Sequence, residues 1–203
     1  MKAKPFLELM KYYLKIKNST KLKNTNKYLK FVLDLLIKNE DLELDELLDY
    51  LFTLSEVNLE EYVDEDFAFD IFTPKQIKKL DNYLSKCKED ILSEHETIDP
   101  YYILLVYFEK IFRNMLEDFF DFYMDDVSNI EEFQFIEESL NSVFKHYKGN
   151  YYLVLIDNAK LESNEEEMVV YKSLKDSQIW IRPKKQFFEK IDDNTFRFRK
   201  LVI

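Results

Sequence analysis

Apolar residues recur at helical spacing through the first 144 positions, and the pattern changes to strand-like runs after Asn150. Phe6, Leu7, Leu9, Met10, Tyr13, Leu14 and Ile16, behind Pro5, predict a first helix over about 5–17. Tyr28, Leu29, Val32, Leu35 and Leu36 predict a second over about 24–38, and Leu44, Leu47, Leu48 and Leu51 a third over about 41–54. Apolar positions from Glu56 to Phe72 are less regular. Thr73-Pro74-Lys75-Gln76 places Thr at N-cap, Pro at the first helical position and Gln at N3, a capping box opening a helix to about Leu92. Asp99-Pro100 repeats the start signal for the longest helix, about 100–124, which is apolar around much of its circumference and so belongs at the centre of a core. Ser128-Asn129-Ile130-Glu131 opens a last helix carrying Phe133, Phe135, Ile136, Leu140 and Phe144.

Beyond Asn150, the runs Tyr151 to Ile156 and Met168 to Tyr171 are β-branched and aromatic and of strand length. Ile179-Trp180-Ile181 and Phe196-Arg197-Phe198-Arg199 predict further short strands. Pro183 opens a helical turn ending near Phe188, and Asp192-Asp193-Asn194 reads as a turn. Four short strands and one turn of helix in about 60 residues predict a small bent sheet or barrel. The expected fold class is α+β: an acidic α-helical domain over 1–144, then a β-rich module over 145–203.

Composition agrees. With 203 residues, 46% of them hydrophobic, the chain can bury a core, and one Gly with four Pro fits helices joined by short turns. The Lys, Asn, Ile, Phe, Tyr and Glu bias resembles that of an AT-rich bacterial or phage genome. No run of about 18 apolar residues predicts a membrane helix, and the start, Met1 to Pro5, lacks the apolar region of a signal peptide. Cys87 is the single cysteine, so no intramolecular disulfide forms and a reducing cytoplasm is the expected setting. Its neighbours Lys86 and Lys88 would favour a reactive thiolate; the alternative is a helix residue with no role.

Charge is segregated along the chain. The net charge of −11 divides into +8 over residues 1–30, −22 over 31–142 and +3 over 143–203. An acidic middle repels nucleic acid and membrane surfaces and attracts basic ones. The expected partner is therefore a basic protein surface, such as that of a nucleic-acid-binding protein, rather than nucleic acid itself or a membrane. Asp64, Glu65, Asp66 and Asp70, with Asp125 and Asp126, are the candidate contact residues. The first four lack the Gly of a calcium loop, so a solvated acidic edge is expected, with no metal and no cofactor. The lysines at the start of the chain either neutralise this acidity within the fold or, with Tyr12, Tyr13 and Tyr28, form a basic-aromatic patch.

His146-Tyr147-Lys148-Gly149-Asn150, then Met168-Val169-Val170-Tyr171, then Trp180-Ile181-Arg182-Pro183 with Phe187 and Phe188, and finally Arg197-Phe198 recur in one order and spacing. In these residues the segment of about 145–201 resembles a small bacterial family, the domain of unknown function numbered 1653. The resemblance implies a compact β-rich module and supplies no activity. Where the family carries a His-Ser-Glu-Thr-like segment, this chain has Leu161-Glu162-Ser163-Asn164. Read structurally, Gly149 serves a positive-φ turn, Trp180 and Tyr171 fill a small barrel, and Arg182 stacks or pairs. Read functionally, His146, Tyr171, Trp180 and Arg182 line a pocket for an anionic or planar ligand.

No phosphate-binding Gly loop, Gly-x-Ser-x-Gly, paired zinc histidines or Cys-x-x-Cys occurs, so no catalytic residue is assigned. The function expected from sequence is a non-enzymatic interaction protein whose acidic helical surface binds a basic partner. A phage-type inhibitor occupying the nucleic-acid-binding site of a host defence protein is its concrete form. The alternative is a small-ligand or nucleotide-binding module, or an enzyme, using the C-terminal aromatic and Arg pocket.

Overall fold

The computed structural model describes residues 1–17, 22–56, 71–95, 100–124 and 129–202. The expected contact residues Asp64, Glu65, Asp66, Asp70, Asp125 and Asp126 lie outside the described residues, as do the caps Asp99 and Ser128. The fold is α+β: among the described residues six helices precede a five-stranded antiparallel sheet, and a seventh short helix lies between its last two strands. The chain divides into two compact units, Met1–Asp125 and Asp126–Ile203.

The first unit holds α1 (Lys4–Ile16), α2 (Lys23–Leu36), α3 (Leu44–Glu56), α4 (Pro74–Leu92) and α5 (Pro100–Phe120). As its all-round apolarity predicted, α5 is central and packs against each of the other four. Its Phe112 is wholly buried and meets Phe6 of α1 and Phe52 of α3 edge to face, at 6.2 and 5.5 Å between ring centres. The helix stops at Phe120, short of the expected 124, because Asp121 takes a left-handed φ of 55°. At the start of α4, the Thr73 N–H donates to Gln76 Oε1 at 2.9 Å, the returning half of the predicted capping box. The same amide donates through Nε2 to the Leu35 carbonyl at 2.7 Å, tying this cap to the end of α2.

Lys2, Lys11 and Lys17 find carboxylates inside this unit. Lys17 lies 3.1 Å from Asp118, Lys11 pairs with Asp34, and Lys2 and the N-terminal amine both reach Glu43. Tyr13 donates its hydroxyl to Asp118, and its ring is buried against Phe119. Opposite charges thus occupy Lys2, Lys11 and Lys17 of the basic stretch, and Tyr12, Tyr13 and Tyr28 are buried.

The second unit holds α6 (Asn129–Asn141), β1 (Val143–His146), β2 (Tyr151–Lys160), β3 (Glu167–Ser173), β4 (Ile179–Pro183), α7 (Lys184–Phe187) and β5 (Phe198–Lys200). β1 occupies positions where the helical pattern was expected to continue through Phe144. The sheet is open, in the order β4-β3-β2-β1-β5, with successive hairpins and a last strand that returns beside the first. It is not the closed barrel that was one of the two expectations. Gly149, at φ 90°, supplies the turn between β1 and β2, and register shifts along β2 let it run on to Lys160. No helix among the described residues is long and apolar enough to cross a membrane.

Candidate functional site

Alternation along each strand decides which side chains share a face. The registers Phe144↔Tyr152, His146↔Phe198, Val154↔Tyr171, Tyr171↔Trp180 and Val169↔Arg182 put all these residues on one side of the sheet. All four residues predicted for the pocket, His146, Tyr171, Trp180 and Arg182, therefore share that side. Their environments differ.

Tyr171 belongs to the core. With Val169, Phe187 and Phe198 it forms the buried cluster of this face, and Phe144, Tyr152 and Val154 pack around it. Phe187 arrives from α7 and stacks on Phe198, ring centres 4.1 Å apart and nearly parallel, with Tyr171 edge-on to both. Arg182 lies over this cluster and donates from Nε to the Tyr171 hydroxyl at 3.3 Å. Trp180 does not join them. It is 53% exposed and makes no ring contact among the described residues, so the expectation of a core tryptophan fails. The strand that carries it is at the sheet edge, and α7 covers the face only with Phe187 and its neighbours.

His146 sits at the other end of the cluster, its ring 4.7 Å from Phe198 and 6.1 Å from Tyr152. Nδ1 accepts the Lys148 backbone N–H at 3.4 Å, which leaves Nε2 as the donor of a neutral imidazole. Burial, then the charges of Arg197, Lys148 and Arg182, hold its pKa below the usual histidine value. Tyr152, which the sequence reading did not single out, stands between His146 and Tyr171, its ring edge-on to both. Its hydroxyl pKa is raised, chiefly by burial. Arg197 is held by Glu189, accepting at 2.7 Å from Nε. The face thus combines aromatic edges, a neutral imidazole donor and cations, a set suited to an anionic, planar group and without a paired nucleophile and base.

A second candidate lies in the helical unit. A cleft of about 510 Å³ opens between the α2–α3 connection, α3 and the start of α4. Asp41, Glu46 and Asp49 line it over an apolar floor of Leu42, Tyr50, Ile71 and Phe72. Glu46 lies in the first turn of α3, where the helix dipole favours a carboxylate, and accepts the Glu43 N–H at 3.2 Å. Among the described residues no lysine or arginine pairs with the carboxylates of Asp41, Glu46 or Asp49. The sequence hid this site. Glu46 and Asp49 share a helix face by a spacing that many acidic pairs in this chain have, and Ile71 and Phe72 join them only through the fold.

His95, Cys87 and Glu94 have local roles. Glu94 accepts the backbone N–H groups of Asn24 and Thr25 at 2.9 and 3.0 Å, a carboxylate at the N-terminus of α2, and Thr25 Oγ1 lies 2.7 Å from His95 Nε2. Desolvation pushes the Glu94 pKa up, but these hydrogen bonds outweigh it and hold the value below the ordinary range. Cys87 is half-buried on α4.

Among known proteins, no curated protein and no solved structure matches the chain. Residues 142–200, the C-terminal quarter, match the model of a family described as Protein of unknown function (DUF1653).

Proposed function

We propose that this chain is a non-enzymatic binding protein of the cytoplasm whose acidic helical unit engages a basic protein partner. The observation that carries the reading is the cleft with Asp41, Glu46 and Asp49 at its rim and an apolar floor. A lysine or arginine side chain would bury its stem on Tyr50 and Phe72 and set its charge among the carboxylates. The contrast with α1 matters, because there each acidic partner already holds a lysine. In its concrete form, the protein acts as a phage-type inhibitor that occupies the nucleic-acid-binding site of a bacterial host defence protein. The chain itself then binds neither nucleic acid nor membrane. Titration of a lysine- and arginine-rich peptide against the full chain, followed by calorimetry, tests this. Binding should weaken about tenfold when Asp41→Asn, Glu46→Gln and Asp49→Asn are combined, and steeply from low to physiological salt. Neutralising the exposed Glu137 and Glu138 on α6 should have little effect. Equal losses from the two sets of substitutions would defeat the assignment of the cleft.

The convergence of Arg182, Lys148 and Arg197 on His146 favours a second reading, in which the sheet face binds a nucleotide or another planar anion. Thermal-shift measurements across a set of nucleotides should then show stabilisation that Arg182→Ala removes and Asp41→Asn does not; a flat response would end this reading.

A further inference from the structure

We propose that β4 is a self-pairing edge, at which two copies of this chain join antiparallel about a two-fold axis through Trp180. β4 ends the sheet, and its Ile179, Trp180 and Ile181 are 63, 53 and 64% exposed. An apolar strand left open at a sheet edge is a template for another strand.

The hydrogen-bonding parity of β4 selects the partner. The Ser173 N–H donates to the Gln178 carbonyl at 2.8 Å, and the register places Tyr171 opposite Trp180 and Val169 opposite Arg182. In an antiparallel ladder bonded and non-bonded pairs alternate, so Gln178, Trp180 and Arg182 turn their N–H and C=O groups toward β3. Ile179 and Ile181 turn theirs outward, to the open edge. A second β4 centred on Trp180 sets Ile179 of each copy opposite Ile181 of the other, and all of these outward groups pair. Shifting the register fails in either direction. Toward the start of the strand it pairs Ile181 with Ser177, whose left-handed φ of 58° breaks the extended chain. Toward the end it pairs Ile179 with Pro183, which has no N–H to donate.

Side chains and charge agree with the same register. Trp180 falls opposite its own symmetry mate in a non-bonded pair, where side chains approach most closely. Ile179 and Ile181 meet on the other face. In this register Arg182 falls opposite Gln178 of the other copy rather than opposite its own mate. The symmetry uses up the β4 edge of both copies, so this contact closes as a dimer, and the three-residue β5 remains the other edge of each sheet.

Sedimentation velocity of the full chain, from about 1 to about 200 μM at roughly 150 mM salt to screen its net negative charge, reads the result. The mass should rise from 24.8 kDa toward twice that value, with the emission of Trp180, the single tryptophan, shifting to the blue over the same range. Ile181→Pro removes an outward donor and leaves the β3 ladder whole, and should weaken dimerisation at least tenfold. Should that variant misfold, hydrogen exchange of the unaltered protein decides: the Ile179 and Ile181 amides must become protected as concentration rises. A monomer at every concentration, or a dimer with these two amides still exchanging freely, overturns the proposal. So does protection that appears only on adding an unrelated extended peptide, which would assign the edge to a partner strand.

Discussion

In the helical unit Phe6, Phe52, Phe112 and Phe119 are wholly buried, and aliphatic residues close the spaces between them. In the sheet unit the rings of Phe144, Tyr152, Tyr171, Phe187 and Phe198 cluster around Val169, while Leu155, Ile156, Ile179, Trp180, Ile181 and Phe196 stand in the open. Among the described residues, every large exposed hydrophobic except Met1 and Tyr123 belongs to the second unit. Size explains part of the contrast, since a short chain encloses little volume and aromatic rings bury the most area per residue. The rest is a matter of geometry. A central helix such as α5 meets neighbours all round, whereas an open sheet keeps its outermost strands at its edges.

The largest effects should separate the two units. Phe112→Ala and Phe187→Ala each remove a wholly buried ring and should cost about 3–5 kcal/mol. In denaturant melts, Trp180 fluorescence reports the sheet unit and helical circular dichroism chiefly the first unit. Phe112→Ala should move the dichroism transition and spare the fluorescence one, and Phe187→Ala should do the reverse. Transitions that always move together would break the comparison, since the two units would then unfold as one.

A smaller test applies one chemical change to both units. The Tyr28 hydroxyl is buried without a hydrogen-bond partner among the described residues, so Tyr28→Phe should stabilise by about 1 kcal/mol. Tyr171→Phe frees Arg182 from its acceptor and should destabilise by about 1 kcal/mol. Shifts of the same sign in chemical melts would contradict the hydrogen-bond assignments.

The smallest effect is one of pH and concerns the sheet unit. The folded pKa of His146 lies below its unfolded value of about 6.5, so the unfolded chain takes up the proton first as pH falls. Stability of this unit should therefore be complete above about pH 6.5 and decline below it. His146→Gln should flatten that part of the profile as read by Trp180 fluorescence. An unchanged slope would mean that another group sets it.

Much of this architecture was legible where the chain carries punctuation. Pro74, Pro100 and Pro183 mark the starts of α4, α5 and α7, and Gly149 marks a turn. β1 was not legible. Four residues long, it follows directly on α6, and Phe144 continues the helical rhythm of Ile136 and Leu140 by accident. The exposure of Trp180 was also beyond a pattern reading, because periodicity gives the face of a strand but not its place in the sheet. All four predicted pocket residues do share one face, since strand alternation is local. The cleft at Asp41, Glu46 and Asp49 depends on Ile71 and Phe72 returning from more than 20 positions away, and no local signal encodes that return.

The return of β5 to pair with β1 has a consequence in time. Every other pairing in the sheet joins strands that are neighbours along the chain, so each forms as its second strand appears. β1 must wait. Roughly fifty residues separate His146 from Phe198, and at a synthesis rate of about 5–20 residues per second a ribosome needs roughly 3–10 s to deliver them. Through that interval the outer edge of β1 has no strand beside it, and Lys145 is the charged residue within it that discourages a wrong neighbour.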